Sequence, residues 1–197
     1  MDIKDKIIMD ETPFQILYCE CNNIFQPEYF GISSTWSDDT AFGYYSLYEM
    51  KEFQLYLKSF TISSNRGYPT INGVNPEPYN TENGIETVQY NDIMEPMNYT
   101  GAIIVGNILI NNQGTSNEIP CYCYKLIREL IFHEGKLVTT IDHSKAMLRI
   151  RKNLDLGLRS LDKKQDVKCI QRFIKASFVG DYKHMDKNNK KKLKKIK

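Results

Sequence analysis

Two stretches of this chain are written as β-hairpins, and that constrains the fold more than anything else in it. Residues 44–50 and 53–62 are runs rich in tyrosine, phenylalanine and aliphatic residues, broken only at Lys51-Glu52. Successive side chains of a strand point to opposite faces, so Phe53, Leu55 and Leu57 share one side and Gln54, Tyr56 and Lys58 the other. An apolar side backed by a polar one belongs to an antiparallel sheet with one wet face. Residues 122–132 and 136–141 repeat the plan around His133-Glu134-Gly135. Leu126 with Leu130, and Ile127 with Ile131, also fit helical spacing, but the glycine turn followed by Leu137-Val138-Thr139-Thr140-Ile141 favours strand. Both hairpins share a rhythm, Tyr48-Glu49 before Leu55-Tyr56-Leu57 and Arg128-Glu129 before Lys136-Leu137-Val138, as a duplicated β-meander would. The 13 tyrosines and 9 phenylalanines pull the same way, since flat rings pack well on a pleated surface.

Other segments fall in around these. Residues 14–21 read as a strand, and residues 99–111 as a buried strand or a pair bent at Gly106. Residues 63–98, punctuated by Gly67, Pro69, Gly73, Pro76, Pro78, Gly84 and Pro96, read either as a long functional loop or as short strands hidden by turn residues. Past residue 142 the period changes. Asp142 or Ser144 can cap a helix over 145–156 that lines up Met147, Ile150 and Leu154 and stops at Gly157. A second helix is expected over 166–178, with Val167, Ile170, Phe173 or Ile174, and Ser177 along one face. The expected fold is α+β: a mainly antiparallel sheet, meander or partly open barrel, with C-terminal helices. At 197 residues one domain over 1–182 is expected, followed by a basic, flexible tail over 183–197.

Thr40-Ala41-Phe42-Gly43-Tyr44, Tyr48-Glu49-Met50-Lys51 and Gln54-Leu55-Tyr56-Leu57 together resemble a family of small uncharacterised bacterial β-rich proteins. In that family a Thr-Ala-Cys-Trp-Arg-Gly-Tyr-like segment leads into a Trp-Glu-Ile-Lys-Asp-Gly-Lys-Leu-Tyr-Leu-like hairpin. The Cys-Trp-Arg core and the hairpin glycine are missing from this chain, and Trp36 lies slightly upstream. The Tyr99-Thr100-Gly101 and Glu134-Gly135-Lys136-Leu137 segments match more loosely. The resemblance implies a mainly β domain and carries no activity with it.

Charge is divided unevenly. The 26 Lys and Arg nearly balance the 24 Asp and Glu, for a net charge of +2. Residues 183–197, however, hold eight of those lysines and a single acid, Asp186, which leaves 18 basic against 23 acidic residues up to Tyr182. The body is therefore about −5 and the tail about +7. The N-terminal ten residues mix charges and lack the apolar core of a secretory signal, and the most apolar stretch, 101–110, is too short to span a bilayer. A soluble cytoplasmic protein is expected, and its odd set of five cysteines does not make a disulfide framework.

Four groupings carry potential chemistry. Cys19-x-Cys21 and Cys121-x-Cys123, two apart on strands, would put each pair of thiols on one face and could offer four thiolates to zinc. Knuckle spacing is usually tighter, and reduced cysteine is a common buried filler, so no metal or other cofactor is expected. His133, Asp142 and His143, with Glu134, bracket the second hairpin and would serve a hydrolase as an acid–base cluster. The competing reading is a solvated turn histidine and helix caps, and no nucleophile motif accompanies them. Gly101-x₄-Gly106 lacks the Lys-Ser/Thr that a phosphate loop needs. Its glycines read as strand bends or close backbone approaches. Tyr44, Tyr48, Tyr56, Tyr122 and Tyr124 would form a tyrosine-rich sheet face for a protein partner. Lys190, Lys191, Lys192, Lys194 and Lys195 would hold phosphates by counterion release. Arg149, Arg151, Lys152, Arg159, Lys163, Lys164, Lys168, Arg172 and Lys175 carry basic character back from them.

The favoured function is a non-enzymatic, cytosolic protein-interaction module, immunity-like or regulatory, whose partner is another protein and not a membrane. The alternatives are a nucleic-acid binder acting through the basic C-terminal segment and a hydrolase built on His133, Asp142 and His143.

Overall fold

The computed structural model describes residues 5–20, 23–34, 43–82, 85–110, 119–155 and 163–180. Its strands are β1 (Lys6–Met9), β2 (Thr12–Cys19), β3 (Tyr44–Lys51), β4 (Gln54–Ser63), β5 (Glu77–Glu82), β6 (Ile85–Tyr90), β7 (Glu95–Pro96), β8 (Gly101–Leu109), β9 (Tyr124–His133) and β10 (Lys136–Asp142). Two helices follow, α1 (Ser144–Asp155) and α2 (Lys163–Ser177). Among the described residues no helix is long and apolar enough to cross a membrane. The chain gathers into two compact units, one from residues up to 15, 23–100 and 133–137, the other from residues 16–22, 101–132 and 138 onward.

In the first unit the strand order is β2–β1–β3–β4–β6–β5, with β7 on β4. Among the described residues the pairings are antiparallel except β1 with β3, so the sheet is mixed but mostly antiparallel. Two of its hairpins close on two-residue turns in which both residues are left-handed: Asp10-Glu11 (φ 47° and 62°) and Glu52-Phe53 (φ 51° and 64°). That is the turn whose twist matches the twist of the strands it joins. Pairing of Lys51 with Gln54 moves the second turn one residue beyond its expected place. Phe53 is therefore 74% exposed at the tip instead of sharing the buried face of Leu55 and Leu57.

The 63–98 segment resolves into strands. β5 and β6 pair with each other, β6 pairs with β4, and β7 adds to β4. Pro78 is tolerated because β5 is the last strand of the order, where the missing N–H breaks no central ladder, and the pairing shifts between Pro78 and Asn80. The core of this unit is aromatic: Phe25 lies 5.0 Å from Phe60, and Phe60 stacks on Tyr90 at 4.8 Å, with Ile7, Phe14, Tyr48, Leu55, Leu57 and Ile62 buried around them.

In the second unit β8 and β9 pair antiparallel from Gly101↔Phe132 to Leu109↔Tyr124, with β10 on the outer side of β9 and the end of β2 beside β8. Gly106 marks a close approach: a Cβ there would lie 2.9 Å from both Leu17 Cδ1 and Tyr124 Cγ. The amphipathic helices cover one face. Met147, Ile150, partly buried Ile170 and Phe178 close on Ala102, Ile104, Cys121, Tyr124 and Ile127. Asp142 Oδ1 accepts the Ser144 N–H at 2.8 Å, which caps α1 as expected. Arg151 turns inward, its Nη1 donating to the carbonyls of Tyr122 (2.7 Å) and Tyr124 (2.8 Å).

Candidate functional site

β9 carries one acid inside an apolar run, and it defines the most polar point of the second unit's interior. Glu129 is completely buried. Its Oε2 lies 2.9 Å from His143 Nε2, and its two oxygens accept the N–H of Val179 (3.0 Å to each) and of Gly180 (2.8 Å to Oε1). Phe178 sets its edge against the His143 ring at 4.5 Å. Burying a carboxylate costs several kcal/mol unless donors replace its water, and here three groups do so. The cluster therefore fastens the segment after α2 to the centre of the sheet. In the sequence Glu129 shows only as part of the hairpin rhythm; the one local sign of its role is a single acid between Arg128 and Leu130 in an apolar strand.

The proposed acid–base trio does not converge. His133 ends β9, exposed beside the Glu134-Gly135 turn, while His143 lies beyond the far end of β10. Asp142 is committed to its cap, and the Ser144 hydrogen bonds hold its carboxyl below the usual range. His143 faces Glu129, whose oxygens are already occupied. The tyrosine face breaks up as well. Tyr48 and Tyr124 are buried core residues and cannot meet a partner, because strand alternation turns both inward. Tyr44 donates its hydroxyl to the Phe25 carbonyl at 2.8 Å and sets its ring edge-on to Phe25, and burial raises its hydroxyl above the ordinary range. Tyr56 and Tyr122 are half-buried.

Cys121 and Cys123 sit on a short 3₁₀ turn before β9, not on a strand, and both are buried. Desolvation pushes the Cys121 thiol up to about 12, and its Sγ lies 3.7 Å from Met147 Sδ, the setting of an apolar filler. Cys19 is partly buried at the end of β2 and Cys21 lies outside the described residues. Among the described residues no group of three or more His, Cys, Asp or Glu is placed to hold a metal ion. Lys190, Lys191, Lys192, Lys194 and Lys195 also lie outside the described residues.

The described helices alter the charge picture. Residues 1–142 hold 8 Lys and Arg against 19 Asp and Glu, whereas residues 143–197 hold 18 against 5. The sign thus reverses where β10 gives way to α1, from −11 to +13, well before the lysine tail. On α1, Lys145, Arg149 and Lys152 are all exposed, and on α2, Lys168, Arg172 and Lys175 are all exposed. Each set is Lys-x₃-Arg-x₂-Lys, a spacing that stacks three cations along one helix face. Leu148 stands beside the α1 row and Phe173 about 100° past Arg172 on α2, each 43% exposed.

Comparison with protein-family models, with curated proteins and with solved structures finds no match to this chain.

Proposed function

We propose that this chain is a non-enzymatic binding module whose working surface is the exposed basic side of α1 and α2, and whose partner is a nucleic acid held through its phosphates. The observation that carries the reading is the pair of matched cation rows. Each row runs about 10 Å along its helix at 1.5 Å per residue, three charges deep. A polyanion pays little to meet such a row, because the counterions it sheds drive the binding. Residues 1–142 are net negative, so the cations that a polyanion can use are concentrated from α1 onward. The lysines of residues 183–197 add further positive charge in the same part of the chain.

The test is fluorescence anisotropy of a labelled 20-nucleotide strand with the full chain and with the K168E/R172E/K175E variant. These side chains are exposed, and circular dichroism of the variant against the parent checks that the helices are kept. A loss of affinity above 100-fold is expected, while removal of residues 183–197 should weaken binding without abolishing it. Unchanged affinity in the charge-reversed variant would remove the helices from the site.

A second reading, a protein partner, is supported by β10. It stands at the end of its unit's strand order with Val138, Thr139 and Thr140 exposed, a geometry that can accept an added strand. Thr139→Pro should then weaken capture of that partner and leave nucleic-acid affinity untouched.

A further inference from the structure

Resting on the reading that the basic helix faces bind nucleic acid, we infer that the strand they take is single, with a base stacked on Phe173. On α2, Lys175, Lys168 and Arg172 fall within about 60° of one another at 100° per residue, Ala176 and Cys169 come next, and Phe173 lies about 100° past Arg172. All six are exposed, so the helix presents a track of cations and, beside it, a small-residue shelf ending in an aromatic ring. No ring–ring contact is formed by Phe173 among the described residues, and 43% of it is open to solvent. Phe173 lies about 60° from Ile170, which packs in the core, so only the open part of its ring is offered to a ligand.

The two tracks match the two parts of a single strand, its charged backbone and its flat bases. In a duplex the base faces are stacked on one another and only phosphates and groove edges remain, so a duplex can use the cations but not the ring. A single strand can use both, because every base has a π-face and stacking on an aromatic side chain tolerates any sequence. α1 carries the same cation row, but buried Ile150 stands at the position equivalent to Phe173, so it supplies phosphate contact without a stacking platform.

The experiment compares, for the full chain at fixed salt, a labelled thymidine 20-mer, an abasic strand of equal length and charge, and a 20-base-pair duplex. The thymidine strand should bind roughly tenfold or more tightly than the abasic strand, which is what stacking of one base is worth. Phe173→Ala should erase that preference while leaving abasic and duplex affinities where they were. Phe173→Trp should keep the preference and show quenched tryptophan fluorescence on binding, against a background of the single Trp36. Equal binding of thymidine and abasic strands would overturn the stacking inference and leave the polyanion reading standing. No binding to any of the three would overturn both, as would Phe173-dependent binding to phosphatidylserine vesicles in place of nucleic acid.

Discussion

Glu129→Ala should be the most damaging single substitution in the second unit. The carboxylate is fully buried and serves three donors: His143 Nε2 and the main-chain N–H groups of Val179 and Gly180, all within 3.0 Å. A hydrogen bond to a charged group contributes about 1.5–3 kcal/mol, and a buried donor stripped of its acceptor loses its hydration without replacement. Some of that loss is recovered, because Val179 is exposed and its amide can reach water once the segment lifts. The net cost should be about 3–5 kcal/mol, three lost hydrogen bonds at about 1.5 kcal/mol or more each, offset in part by that rehydration. For a chain of this size that corresponds to a melting temperature lower by about 6–20 °C. Urea titration followed by circular dichroism measures the stability, and amide exchange at Val179 and Gly180 reports the release locally. Glu129→Gln keeps one acceptor and should fall between parent and alanine. A loss below about 1 kcal/mol with unchanged protection of the two amides would refute the reasoning, since it would mean these donors do not depend on Glu129.

Gly106→Ala forces a methyl group to within 2.9 Å of Leu17 and Tyr124, a clash that should cost about 1–3 kcal/mol; a loss under 0.5 kcal/mol in urea would show that the two side chains yield freely. Burial raises the Asp5 carboxyl to about 6, although the Ser46 N–H at 2.7 Å pulls it down. The folded chain thus holds this proton more tightly than the unfolded chain, whose carboxyl titrates near 3.9. Stability at this site is greatest below about pH 4 and falls as pH rises from 4 to 6, after which the penalty is constant. Because Asp5 is only partly shielded from solvent, the penalty at pH 7 should be on the order of 1–2 kcal/mol. Asp5→Asn should recover it at pH 7 and nothing at pH 4, and equal effects at both pH values would rule the mechanism out.

What could be read from the sequence was whatever has a short period. Leu55 and Leu57 declared their face by alternation, and the Glu134-Gly135 turn declared the second hairpin, its glycine required because a Cβ would run into the Met97 carbonyl oxygen. β1 was missed because Asp10-Glu11 adopts two left-handed residues without glycine or asparagine to announce them. Residues 63–98 left a loop and short strands equally open because Pro78 and Asn80 dilute strand propensity, although Asn83-Gly84 is a strong two-residue hairpin signal. Tyr48 and Tyr124 looked like surface because tyrosine is amphipathic; only the packing of each unit decides which rings go inside. Glu129 joins residues 50 positions apart, a relation that no local pattern encodes. The sign change near residue 142 was present in the composition throughout, but its meaning needed the helices, whose exposed faces turn scattered lysines and arginines into rows.

The most direct measurement is the slope of log affinity against log salt for the parent chain and a labelled single strand. Six helix cations at about 0.7 counterions each give a slope near −4, a loss of roughly 300-fold between 50 and 200 mM salt, steeper still if the C-terminal lysines join in. K168E/R172E/K175E should flatten that slope by at least 2. A slope between 0 and −1 in the parent, or one that the variant leaves unchanged, would contradict phosphate recognition by these helices.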